Sequence, residues 1–136
     1  MTGFPLKIVT PDGLQFDGIA EELIVRTTTG DMGILAGHIN CVAPLGMGEA
    51  TIVTDGKKRH AACIGGMLSV MNGAVTLVPT TFEWAETIDA ERADRSSRRA
   101  QAILADKAST DTDVRLAEAR LKRALIRKSV ASRKPK

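Results

Sequence analysis

A chain of 136 residues with 43% apolar content can fill one core of ordinary size, whereas two full cores would each be marginal. Three Phe, one Trp and no Tyr make that core aliphatic and leave almost no aromatic surface on which nucleic-acid bases could stack. The net charge of +3 conceals a split: residues 1–87 carry five Lys and Arg against nine Asp and Glu, or −4, and residues 88–136 carry fourteen against seven, or +7.

The N-terminus, MTGFPLKIVTPDG, has no basic region followed by an apolar run. No stretch approaches the length of about 18 apolar residues that a membrane span needs. A soluble, non-exported protein is expected, with any membrane association made through a partner. Cys41 and Cys63 sit in apolar surroundings without the spacing of a metal knuckle or redox pair. They read as reduced thiols of a cytoplasmic protein.

In chain order, Leu6–Thr10 alternates as a half-buried strand and Pro11-Asp12-Gly13 turns the chain. Residues 22–28 repeat the alternation with β-branched side chains. Residues 50–54 and 59–64 flank Asp55-Gly56, and 68–71 and 74–78 flank Asn72-Gly73. Both dipeptides suit the positive φ angles of a two-residue hairpin loop. Short strands at this spacing predict an antiparallel β-sandwich over residues 1–86, its last strand ending near Thr80.

Past Ile88 there is no Gly or Pro until Pro135. Asp89 stands where a helix N-cap would, with Ala90, Ala93 and Ala100 behind it. Ala93, Ser97, Ala100, Leu104 and Ala108 recur at helical spacing, as do Val114, Ala117, Leu121, Ala124 and Lys128. Thr110 and Asp113 mark a capping box between the two runs, with Asp in place of Glu or Gln. Residues 87–136 are therefore expected to form an antiparallel two-helix hairpin, with helices near 89–107 and 111–131. Its seam of Ala and Ser buries far less area than Leu would, which predicts reversible docking.

No catalytic constellation or metal site emerges. His38 and His60 lie in different turns or strands, with no Ser, Cys or carboxylate arranged around them in sequence. The Gly-Lys of TDGKKR lacks the glycine spacing and the Ser or Thr of a phosphate loop and reads as a hairpin turn. Gly65-Gly66 reads as a bulge or close backbone contact. Residues 30–50, GDMGILAGHINCVAPLGMGEA, read locally as sharp connections between strands.

Taken together, PDG at 11–13, GDMGILAGH at 30–38, APL at 43–45, the Gly pair at 65–66 and the Ala- and Arg-rich stretch after IDAERA resemble the epsilon subunit of bacterial F-type ATP synthases. Ala36 departs from the family, where proline commonly precedes the Gly-His. The resemblance implies a non-catalytic part of a rotary motor on the cytoplasmic face of the cell membrane. The sandwich would pack on the gamma subunit and the c-subunit ring through the loop around Asp31, Met32 and His38. The hairpin would lie folded or extend toward the alpha and beta subunits and inhibit ATP hydrolysis. Arg115, Arg120, Lys122, Arg123, Arg127 and Lys128 of the second helix would then meet acidic segments of the catalytic head.

A regulatory ATP site is also expected, with no obligatory cofactor and no metal. Arg92 and Arg99 share a face of the first helix, and Arg123 and Arg127 share one on the second. The midpoints of 92 with 127 and of 99 with 123 both fall in the turn between the helices, so a folded hairpin gathers four guanidinium groups suited to phosphate. Ile88, Asp89, Arg92 and Ala93 match the family's nucleotide motif, I/L-D-x-x-R-A. By resemblance, Glu83 and Asp89 would contact the adenosine part and Ala93 would leave room for it. The alternatives, on composition, are a nucleic-acid-binding module with a basic helical tail and a scaffolding domain. The −4 charge of the first part opposes nucleic-acid binding.

Overall fold

The computed structural model describes residues 2–134. The chain divides into two compact units, the first ending at Trp84 and the second beginning at Ala85.

The first unit is built from ten strands: β1 (Phe4–Thr10), β2 (Gly13–Ala20), β3 (Glu22–Thr27), β4 (Gly30–Ile34), β5 (Cys41–Pro44), β6 (Met47–Thr54), β7 (Lys57–Ile64), β8 (Met67–Met71), β9 (Ala74–Val78) and β10 (Thr81–Trp84). They form two five-stranded sheets, ordered β2-β1-β9-β8-β5 and β10-β7-β6-β3-β4. All pairings are antiparallel except β1 with β9, which run parallel. The core between the sheets is aliphatic. Leu6 and Ile8 of β1, Leu23 and Val25 of β3, Ile52 of β6, Leu68 and Val70 of β8 and Leu77 of β9 are all buried.

Asp55 and Asn72 adopt φ of 53° and 50°, and Gly56 and Gly73 follow at 72° and 82°. Two successive left-handed residues give the loop whose twist matches that of the flanking strands, which is why these dipeptides set the registers of β6–β7 and β8–β9. At Gly66, φ is +99°, and a Cβ there would lie 2.0 Å from the Val78 carbonyl oxygen and 2.6 Å from the Pro79 Cα. This is the close backbone approach expected of the Gly pair.

The structure departs from the sequence expectation in the segment 30–50. Far from being only connections, it contains β4, β5 and the first part of β6. The final strand also runs beyond Thr80, to Trp84.

The second unit begins with a 3₁₀ turn at Ala85–Thr87, followed by α1 (Ala90–Ala105) and α2 (Asp111–Ala131). Asp89 caps α1, its Oδ1 accepting the Arg92 amide at 3.0 Å. Thr110 and Asp113 close a reciprocal capping box at 3.1 and 3.2 Å, so Asp at this position serves as Glu would. Between the helices, Ser109 Oγ donates at 2.8 Å to the Ile103 carbonyl, which also accepts the Asp106 amide at 3.2 Å, so this carbonyl at the end of α1 is doubly satisfied. The buried positions facing the seam are small: Ala93, Ser97 and Ala100 on α1, and Ala117, Ala124 and Ala131 on α2. Ser97 Oγ donates to the Asp94 carbonyl at 2.7 Å, so its hydroxyl is satisfied within its own helix.

Candidate functional site

The register of the hairpin is fixed by Lys128, whose Nζ donates to Asp94 Oδ1 at 2.8 Å across the two helices. Antiparallel helices keep the sum of facing residue numbers constant, so a 94–128 contact sets Arg99 level with Arg123. Arg127 then lies level with position 95, three residues from Arg92, or about 4.5 Å along the axis.

With Ala93 and Ala100 on the α1 seam, Arg92 and Arg99 project from one flank, about 20° apart at about 100° per residue. Asp94 and Arg98 project from the other. With Ala117 and Ala124 on the α2 seam, Arg123 and Arg127 project from the flank that an antiparallel partner aligns with Arg92 and Arg99. The hairpin thus has two unlike edges, one holding these four arginines and the other closed by Asp94 and Lys128.

Asp94 is also bonded by Arg98, whose Nε lies 3.0 Å from Oδ2. The hydrogen bond from Lys128 and the nearby charges of Arg98 and Lys128 hold its carboxyl below the usual range, against an opposing contribution from burial. That carboxylate is committed to its own edge and does not neutralise the arginines opposite. Arg92, Arg99 and Arg123 have no ion-pair partner among the described residues. Arg92 and Arg99 are exposed, and Arg123 and Arg127 are half-buried. Ala93 and Ile88 are both buried within the described chain. Glu83 lies on β10, opposite Ala62 of β7. Trp84 next to it packs edge-on to Phe82 at 4.9 Å, with the Arg59 guanidinium 3.7 Å over its ring.

Of the other α2 residues expected to act on a partner, Arg115, Arg120 and Lys122 are exposed. Lys128 is engaged by Asp94.

In the sandwich, Asp31 is exposed and pairs with Arg26 at 3.4 Å, and His38 Nδ1 lies 2.8 Å from the Ile39 carbonyl. Met32 differs from the expectation. Alternation along β4 turns its side chain to pack against the core while Asp31 faces out. The exposed apolar side chains of this region are instead Leu35, Ile39 and Val42, at 58%, 76% and 63%. Sequence reasoning missed them because the segment was read as connections. Alternation through Asp31, Met32 and Gly33 is the signal that separates the two faces.

A second correction concerns His60, which does have a carboxylate. Its Nδ1 lies 2.8 Å from Glu49 Oε1 and 3.4 Å from Thr51 Oγ. Thr51 faces His60 directly in the β6–β7 register. Cys63 further along β7 is buried, and burial pushes its thiol up to about 12, so it stays protonated and unreactive. Among the described residues, no group of His, Cys, Asp and Glu could hold a metal ion, and no helix is long and apolar enough to cross a membrane.

Residues 3–85 match the family model for the β-sandwich domain of the ATP synthase delta/epsilon chain, and residues 86–132 match its long alpha-helix domain. The ATP synthase epsilon chain of Bacillus velezensis is 46% identical over 126 residues, covering 93% of this chain and 95% of the relative. That of Ruminococcus albus is 43% identical over 136 residues, covering 98% and 100%. Among solved structures, a chain of the Euglena gracilis mitochondrial ATP synthase, in a structure comprising OSCP, F1 and c-ring, superposes with a TM-score of 0.79 at 24% identity, covering 90% of this chain and 77% of that one. At that identity the likeness speaks for the fold.

Proposed function

This chain belongs to the ATP synthase epsilon-chain family, the non-catalytic subunit of the F-type central stalk, and from that premise we propose that its helical hairpin is an ATP-held switch carried on an anchoring sandwich. The observation that carries the reading is the unlike pair of hairpin edges. Of the four arginines, which lie within about 10 Å along the axis, Arg92, Arg99 and Arg123 have no ion-pair partner among the described residues and repel one another unless an anion compensates them. Asp94 is committed to the opposite edge. Guanidinium forks suit the oxygens of a polyphosphate, and Arg99 and Arg123, at one level, would take them together with Arg92 and Arg127.

Asp89 uses Oδ1 for its cap and has Oδ2 to offer the adenosine part. Ala93, with its small side chain, would leave room beside Ile88. ATP bound to the folded form stabilises it by about 2.7 kcal/mol at a hundred times its dissociation constant. Without ATP the hairpin opens, and the basic side chains of α2, Arg115, Arg120 and Lys122 with Arg123, Arg127 and the released Lys128, meet the alpha and beta subunits and inhibit hydrolysis.

The sandwich anchors the switch. The loop carrying Asp31 and His38, with Leu35, Ile39 and Val42 exposed around it, faces gamma and the c ring. The subunit is then peripheral at the cytoplasmic face of the membrane and takes part in rotation coupled to an ion gradient, with the proton as the expected ion.

Titration of the full chain with ATP, read through Trp84 as the sole tryptophan, tests the site. Saturable binding is expected, weakened by Arg92→Ala and by Arg127→Ala. No saturation up to millimolar ATP, or equal binding by both variants, removes the site.

A further inference from the structure

We propose that Asp94, Arg98, Lys128 and Lys134 form an electrostatic clasp at the open end of the hairpin, which makes its closure dependent on salt independently of any nucleotide. The turn at residues 106–110 joins the helices at one end, so opening must begin at the other. There, α2 and the residues that follow it reach back toward the start of α1. Lys128 Nζ donates to Asp94 Oδ1 at 2.8 Å, and Lys134 Nζ donates to the Ile88 carbonyl at 2.6 Å, just before the α1 cap. Arg98, one turn along α1, holds Asp94 Oδ2 at 3.0 Å and fixes the carboxylate orientation that Lys128 requires.

The clasp matters because the seam beneath it is weak. Ala93, Ser97 and Ala100 against Ala117, Ala124 and Ala131 supply little apolar area, and Leu104, Val114 and Leu121 add only half-buried side chains, so a modest polar contribution weighs in the balance. At side-chain exposures of 34% for Asp94 and 39% for Lys128, the pair is open to screening by ions. It also lies on the edge away from the four arginines, so nucleotide and clasp act on closure from opposite sides.

The inference rests on the hairpin opening but not on ATP binding to it. Helices of 16 and 21 residues are marginal alone, so an opened hairpin exposes its amides to exchange. Amide hydrogen exchange of the full chain is therefore the measurement, with the strands of the sandwich as internal reference. Asp94→Asn and Lys128→Met should each speed exchange across α1 and α2 about three- to fivefold at low salt, leaving the strands unchanged. The exchanged pair Asp94→Lys with Lys128→Asp should recover much of the protection. Raising salt to about 1 M, where the screening length is about 3 Å, should speed helix exchange in the wild type relative to Asp94→Asn, in which screening acts only on repulsion among the remaining cations.

Equal helix protection in the wild type and both single variants overturns the clasp. So does a wild-type salt response that Asp94→Asn reproduces in full. A clasp that responds as described while ATP leaves exchange unaltered would retain this inference and remove the nucleotide site.

Discussion

The two units are held together by different physics. In the sandwich, aliphatic side chains from the two sheets pack together: Leu6, Ile8, Leu23, Val25, Ile34 and Ile52 are each 1% exposed or less, and most of the backbone is tied into ladders. In the hairpin, the buried positions Ala93, Ser97, Ala100, Ala117 and Ala124 are small, and the ties at its open end include an ion pair and a lysine on a carbonyl. Apolar burial at about 25 cal/mol per Å² makes the first arrangement insensitive to salt and pH, whereas the second responds to both. The proposed switch, a hairpin that changes state on a sandwich that stays seated, needs this division. It also predicts that the same kind of substitution will act very differently in the two halves.

The largest expected effect is on the sandwich. Leu77 is fully buried on β9, beside β1 and opposite Leu68 of β8, and Leu77→Ala should cost about 2–5 kcal/mol of stability. Urea denaturation followed through Trp84 should show it, with the helix amides keeping their own exchange rates. A loss below about 1 kcal/mol would mean that the sandwich is not the rigid partner in the comparison.

Next is the seam. Ala100 is fully buried where α1 meets α2, and Ala100→Leu inserts three carbons that a closed hairpin has no space for. Overpacking of this kind costs about 1–3 kcal/mol, enough to open the hairpin while the sandwich denatures at its usual urea concentration. If Ala100→Leu instead increases helix protection, the seam has room to repack and the hairpin is not marginal.

What the sequence revealed and what it concealed follow the same physical line. The hairpin loops at Asp55-Gly56 and Asn72-Gly73, the Asp89 cap and the Thr110–Asp113 box were legible because each is set by chemistry within a few residues. The four strands that escaped notice, β2, β4, β5 and β10, are the four sheet edges. An edge strand has one neighbour and incomplete cover, so its inward side chains are less buried and the alternation that marks a strand weakens. The β2 segment runs from exposed to half-buried, with only Ala20 fully buried.

At the site, the arginines are recoverable by counting outward from the turn. The same count pairs Asp94 with Lys128, since their midpoint is 111, between 110 and 112. That pair gives no ligand-binding signal, because its charges cancel internally. The Glu49–His60 contact was similarly within reach. The register running out from Asp55-Gly56 sets Thr51 opposite His60 and Glu49 opposite Ala62, leaving Glu49 on the diagonal from His60.

The smallest effect is the most specific, and it comes from the protonation of Asp94. Its carboxyl is held below the ordinary range mainly by the Lys128 hydrogen bond, with the charges of Arg98 and Lys128 adding to it. In an opened hairpin it should titrate near about 3.9. A group whose value is depressed in the closed form stabilises that form above its open-state value and ceases to do so as pH falls through its closed-state value. Closure by the clasp should therefore be constant from neutral pH down to about 5, decline below about 4, and vanish at lower pH. Acid acts on the rest of the chain as well, and amide exchange itself slows there. The useful quantity is therefore the ratio of Asp94→Asn to wild-type helix exchange at each pH, in which both contributions cancel. That ratio should stay at its neutral-pH value of about three to five down to about pH 5 and converge on one in stronger acid. Convergence already near pH 6 would point to a histidine rather than Asp94. A ratio that never converges would mean that Asn disturbs the hairpin by its shape and not by its missing charge.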